Sequence, residues 1–165
     1  TFLPYRLSVL ANVTNNAIAA AYEERFGLTI PEWRVIAVLM RHPGLSAREV
    51  AEKSRMDAVA VSRAVNRLLR AGRLRRAVAA DDRRRSILQV SAAGAAVYRG
   101  VAPLALEFER ALLDTLSNDE RAALDRLLGV LTQRAEALSV DLRVPKQSAR
   151  APRARRLQTR RDPAR

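Results

Sequence analysis

The stretch from residue 46 to residue 91, SAREVAEKSRMDAVAVSRAVNRLLRAGRLRRAVAADDRRRSILQVS, limits the possible folds more than any other part of the chain. Its start and stop signals come in a definite order. Ser46-Ala47-Arg48-Glu49 is a capping box: the serine hydroxyl can accept from a backbone N–H one turn in, and the glutamate can reach back to the cap. The helix it opens is short and ends near Ser54-Arg55-Met56. Asp57 caps a second helix over 58–71, and Gly72 ends it. On that helix Val61, Val65, Leu68 and Leu69 take the inward positions, while Arg63, Asn66, Arg67 and Arg70 share the opposite face. Two β-prone runs, 74–78 and 86–90, then flank a tip at 79–85 that is crowded with arginine. That tip is longer than a tight hairpin turn and should project. The order spells a helix-turn-helix followed by a wing.

Such a unit has the chemistry of a duplex-DNA reader. The major groove of B-form DNA admits one α-helix, which must bury one face in its own domain and offer donors on the other. Val59, Ala60, Ser62 and Arg63 lie toward the N-terminal half of the 58–71 helix, where base edges are reached, and Ala60 is small enough for close approach. Arg67 and Arg70 lie further along and are expected at phosphates. The capped start of the first helix, at Ser46, offers amides to a phosphate. Guanidinium groups at the hairpin tip, from Arg83, Arg84 and Arg85, suit the negative potential of a narrow minor groove, with Asp82 placed to steady one of them.

The charge distribution supports this reading. The chain has 165 residues and a net charge of +13. Residues 53–85 carry eleven Lys/Arg against three Asp, a net +8, and residues 143–165 carry nine against Asp162, again +8. The remainder is slightly acidic, so the positive charge forms two blocks, the signature of a polyanion partner. The chain has no Cys, which excludes disulfides, thiolate metal sites and thiol redox switches. No apolar run approaches the length of a membrane span, and no signal-peptide pattern opens the chain. A cytoplasmic, nucleoid-associated location is the expectation. The single His has no Cys partner, no pair of carboxylates stands out, and no Gly loop could cradle a phosphate. No metal, cofactor or catalytic activity is expected.

The flanks read as helices. Residues 4–26 place Leu3, Leu7, Leu10, Ala17 and Ala21 on one stripe, with Gly27 as a left-handed stop. A helix from about Pro31 runs to the breaker Arg41-His42-Pro43-Gly44 and should be buried on most sides. Ser91 caps a long helix to about Leu116, which Pro103 should kink or divide. Ser117-Asn118-Asp119-Glu120 is a second capping box, and the helix over 119–138 carries Leu124, Leu127, Leu128, Leu131, Ala135 and Leu138 at heptad-like spacing. That stripe, with Leu7 and Leu10, is the expected dimerisation surface. A flexible basic tail, broken by Pro145, Pro152 and Pro163, covers 141–165.

LSAREVAEKSRMDAVAVSRAVNRLLRAGRLRR followed by DDRRRSILQVSAAG resembles the core of the MarR family of bacterial transcription regulators over residues 45–94, and the flanking helices resemble its architecture over about 4–140. The resemblance implies a mainly α fold with a small β-hairpin wing: a winged helix-turn-helix at 31–90 and a helical dimerisation region from 1–30 and 91–140. It implies a homodimer on a palindromic operator. It places the recognition positions on Val59 to Arg63, Asn66 and Arg67, and the wing Asp and Arg on Asp82 and Arg84. In many members of the family a small anionic or phenolic ligand weakens DNA binding. Here Tyr5, Arg6, Trp33, Arg34 and His42 are the candidate wall for a small aromatic acid, an aromatic surface with a cationic end. Residues 3–39 resemble the subgroup that controls nicotinate and related aromatic-acid catabolism. A ligand-released repressor is therefore the leading expectation. The alternative is an architectural or general nucleic-acid-binding protein that uses the basic tail.

Overall fold

In a computed structural model of the chain, residues 2–78 and 86–141 are described, with side chains to 138. The elements run α1 (Leu3–Phe26), α2 (Ile30–Arg41), α3 (Ala47–Ser54), α4 (Ala58–Arg70), β1 (Leu74–Val78), β2 (Ser86–Val90), α5 (Ala92–Leu113) and α6 (Asn118–Asp141). The fold is mainly α with one antiparallel two-stranded wing, in which Leu74 faces Val90, Arg76 faces Leu88 and Val78 faces Ser86. The chain divides into two compact units, Thr1–Thr115 and Leu116–Arg165, so α1 and α5 belong to the same unit as the helix-turn-helix.

Local signals set most boundaries. Gly27 takes φ 59°, a backbone region costly for a residue with a Cβ, and its N–H donates to the Glu23 carbonyl to close α1. Thr29 then opens α2 with a full capping box: Thr29 N and Oγ donate to Glu32 Oε2 at 2.8 and 2.7 Å. Ser46 opens α3 in the same way, with Ser46 N donating to Glu49 Oε2 at 2.7 Å and Glu49 N donating to Ser46 Oγ at 3.3 Å. Asp57 caps α4 by accepting from Ala60 N at 2.9 Å. Between α3 and α4, Arg55 sits at φ 54°, a left-handed position that a non-glycine residue holds only when its surroundings fix it.

The core of the first unit is built from Leu28, Val35, Ile36, Leu39, Val50, Val61, Val65, Leu68, Leu74, Leu88 and Val101, all nearly inaccessible to solvent. Each such side chain contributes roughly 1.5–3 kcal/mol by leaving water. The wing is tied into this core at its base by Leu74 and Leu88, and Leu88 N donates to the Leu45 carbonyl at 2.8 Å. The aromatic rings of Tyr22, Trp33 and Tyr98 link α1, α2 and α5, with centroids 5.9 and 5.6 Å apart and the second pair stacked at 22°.

Two sequence expectations need correction. Pro103 does not divide α5, which runs unbroken from Ala92 to Leu113. The one backbone hydrogen bond lost at a proline is small beside the burial of Val97 and Val101, which anchor the helix just upstream. The helix then stops at Leu113 rather than Leu116. The 4–26 stripe, with Leu7 and Leu10 expected at a dimer surface, lies on the side of α1 away from the chain's own core. Ala19 and Tyr22 are buried, with Ile18 and Phe26 packed against the core, whereas Leu3, Leu7 and Leu10 are exposed. In the second unit, Ser117 caps α6 through Glu120, and Leu124, Leu127, Leu128, Leu131 and Leu138 are all exposed along the helix. Among the described residues no helix is long and apolar enough to cross a membrane.

Candidate nucleic-acid interface

Helix α4 is two-sided. Val61, Ala64, Val65 and Leu68 are buried, while Val59, Ser62, Arg63, Asn66, Arg67 and Arg70 are exposed and Ala60 is half-buried. The spacing that buries one side necessarily presents the other to solvent. Val59, 55% exposed, is the one large apolar side chain on the presented face. Arg70 Nε lies 3.4 Å from the Asn66 carbonyl of its own helix, so its guanidinium stays on the surface.

Arg67 is placed differently from its neighbours. Its Nε lies 3.2 Å from Glu32 Oε1, on a carboxylate that is almost wholly buried at the start of α2. Glu32 thus accepts from Thr29 on one oxygen and is ion-paired with Arg67 through the other. The sequence signal Thr29-Ile30-Pro31-Glu32 was available for the cap, but the pairing to α4 spans 35 positions (32 to 67) and has no local signature.

The capping box of α3 engages Ser46 N and Glu49 N within the box itself, so these two amides are not open donors for a phosphate. On the wing, Arg75 and Arg76 are exposed on β1. The expected tip residues Asp82, Arg83, Arg84 and Arg85 lie outside the described residues.

The base of the wing is fastened to both neighbouring helices. Arg73 Nη2 donates to the Phe26 carbonyl at the end of α1 at 2.6 Å. Ser91 Oγ donates to the Gly72 carbonyl at 2.6 Å, and Ser91 N donates to the Arg73 carbonyl at 3.0 Å. No pattern in the sequence pointed to Arg73 or Ser91 in this role beyond Ser91 as a cap.

The five expected ligand residues have different surroundings. Tyr5 and Arg6 are exposed near the start of α1. Trp33 is packed between Tyr22 and Tyr98, and Arg34 Nη2 donates to Asn15 Oδ1 at 3.1 Å. Partial desolvation together with Lys53 and Arg41 holds the His42 imidazolium below its usual pKa. An apolar cavity of about 390 Å3 lies between α1 and α5, lined chiefly by Ile18, Leu106, Phe108 and Leu112.

Comparison with known proteins bears on this arrangement. Residues 26–85, which span the two-faced α4 and its supporting helices, match the MarR family model. The chain carries a MarR-family domain. It resembles a MarR/EmrR family transcriptional regulator from Acinetobacter sp. ADP1 at 26% identity, over 82% of this chain and 95% of that one, with a TM-score of 0.76. It also resembles the PcaV transcriptional regulator of Streptomyces coelicolor in complex with its natural ligand, at 27% identity over 81% of this chain and 91% of that one, TM-score 0.65. The MepR protein of S. aureus, in a complex with DNA, is similar in fold, with 20% identity, coverage of 81% and 98%, and a TM-score of 0.72. No curated protein sequence matches the chain. The MarR-family domain here therefore lies within a chain that has, over about four-fifths of its length, the fold of transcriptional regulators of that family.

Proposed function

We propose that this protein is a homodimeric, sequence-specific DNA-binding transcriptional repressor that a small anionic aromatic ligand releases from its operator. The observation that carries the DNA reading is the exposed face of α4, where Val59, Ser62, Arg63, Asn66 and Arg70 stand on a helix whose other side is fixed in the core. Arg63 donates to a guanine edge in the major groove, and Arg70 meets a phosphate. The wing arginines Arg83, Arg84 and Arg85 reach the minor groove, with Asp82 orienting one of them. The basic tail adds sequence-independent affinity. The transcriptional regulators similar in sequence and fold support this reading.

The geometry of duplex recognition supports a dimer. One α4 offers few base contacts, so useful specificity needs two, set about 34 Å apart on a palindromic site. The exposed leucines of α1 (Leu7 and Leu10) and of α6 (Leu124, Leu127, Leu128, Leu131 and Leu138) are the surfaces a second copy covers. Ligand release rests on the resemblance to PcaV, which binds a natural ligand. A ligand acts by favouring one spacing of the two α4 helices over another. Tyr5, Arg6, Trp33, Arg34 and His42 remain the proposed contacts for an aromatic acid.

The test is Arg63→Ala in competition between operator and scrambled duplex. Loss of the preference, with the dimer still folded, is the expected result. Undiminished discrimination overturns the assignment of α4.

A further inference from the structure

We infer that Glu32 is a specificity-related residue that withholds Arg67 from the DNA backbone, so that α4 meets phosphates with fewer cations than its sequence displays. This rests on the reading of α4 as the DNA-contacting helix. Glu32 is the one charged side chain found buried among the described residues, and both its oxygens are engaged: Oε2 by Thr29 N and Oγ, Oε1 by Arg67 Nε. Arg67 is itself about half exposed, at 55% for its side chain, and stands on the same face as Arg63 and Arg70. Neither of those two has a carboxylate partner among the described residues.

Three physical points lead from this geometry to the inference. First, a buried carboxylate whose partner leaves is strongly penalised, so Arg67 does not swing from Glu32 to a phosphate when a duplex arrives. Second, the pair is not needed to hold α2 to α4. Val35, Ile36 and Leu39 of α2 share an apolar core with Val61, Val65 and Leu68 of α4, and a buried ion pair adds little stability beyond such packing. Third, phosphate contacts contribute affinity without sequence information, and each steepens the salt dependence of binding. A carboxylate that cancels one arginine on the recognition face therefore lowers affinity for every sequence alike and leaves a larger share of binding to base contacts.

The experiment is the salt dependence of full-chain binding to a scrambled duplex, measured for wild type, Glu32→Gln, Arg67→Met and the double variant. Glutamine keeps the capping box with Thr29, because its carbonyl can accept where Glu32 Oε2 does, but it presents no charge to Arg67. Released, Arg67 reaches a phosphate. Glu32→Gln should then steepen the slope of log affinity against log salt by about 0.9 for each α4 engaged, roughly a 3.5-fold greater loss of affinity between 50 and 200 mM salt. The double variant should return to the wild-type slope. Arg67→Met alone should leave that slope unchanged, and the double variant, which leaves no buried charge unpaired, keeps the test alive if either single variant fails to fold, since a slope shallower than wild type there would also overturn the inference. The inference is overturned by an unchanged slope in Glu32→Gln, by a steepening that persists in the double variant, or by a shallower slope in Arg67→Met. Failure of the wild type to bind duplex at all would instead remove the DNA reading on which the inference stands.

Discussion

Gly94→Ala offers a sharp test of how the wing is joined to α5. Gly94 is in the first turn of α5, where its N–H donates to the Ser91 hydroxyl at 3.1 Å. A Cβ at this position would collide with the carbonyl oxygen of Arg73 and come within 2.9 Å of Val90 Cγ1. The first obstacle is backbone, and that backbone is pinned: the same Arg73 carbonyl accepts from Ser91 N, and the Arg73 side chain is anchored to Phe26. The clash cannot be relieved by a rotamer change. Overpacking of this kind costs about 1–3 kcal/mol, at the upper end where backbone must move. The gain of alanine over glycine in a helix offsets roughly 0.5–1 kcal/mol of that. The net expectation is a loss of about 2 kcal/mol, or roughly 4–8 °C in Tm for a chain of this size. Gly129→Ala is the matched control. It lies within α6, and an added Cβ meets nothing within 4 Å, so it should stabilise by about 0.5–1 kcal/mol. Circular-dichroism melts of both variants read the difference. A Gly94→Ala protein that melts with the wild type would refute the tight α5–wing junction.

Other predictions follow from single residues. Burial raises the Tyr22 phenol above its ordinary pKa of 10.0, opposed by Arg34. The fold therefore favours the neutral phenol, and that contribution is present below pH 10 and lost as pH rises through the higher folded value; Tyr22→Phe should move alkaline unfolding to higher pH, which a pH titration of ellipticity reads. Glu120 is shifted the other way, its pKa lowered by the hydrogen bonds from the Ser117 backbone and hydroxyl. Its contribution to α6 is present above about pH 4.5 and is lost as pH falls through the lower folded value, so Ser117→Ala should blunt the acid-side loss of helicity. Leu131→Glu should place a charge on the exposed stripe of α6 and shift the chain from dimer to monomer by sedimentation; a dimer of unchanged affinity would remove α6 from the interface.

The helix-turn-helix could be read from sequence because its signals are local. Ser46-Glu49, Asp57 and Gly72 lie within a turn of the boundaries they set, and the strand limits at 74–78 and 86–90 appear in the structure as read. Long-range choices were not legible in this way. Nothing near Arg67 shows that it pairs with Glu32, and nothing near Arg73 shows that it holds the end of α1. The apolar residues of α1 could be found by periodicity, but not which of them face the chain's own core. Tyr22 and Ala19 are buried, and the more regular leucine stripe is left outside. Pro103 misled for a related reason: a local breaker was weighed without the packing of Val97 and Val101 on the same helix. The ligand candidates rested on residue type and on the family resemblance; the sequence held no sign that Trp33 stands in an aromatic stack or that Arg34 donates to Asn15.

The central claim is that α4 reads a palindromic duplex as one half of a dimer. Selection of bound duplexes from a random library by the full chain tests it most directly. The account predicts one enriched inverted repeat with half-site centres about 10–10.5 base pairs apart, or a multiple of that spacing, and loss of the enrichment in Arg63→Ala. Recovery of duplexes without a shared motif, bound equally well by wild type and Arg63→Ala, would contradict it.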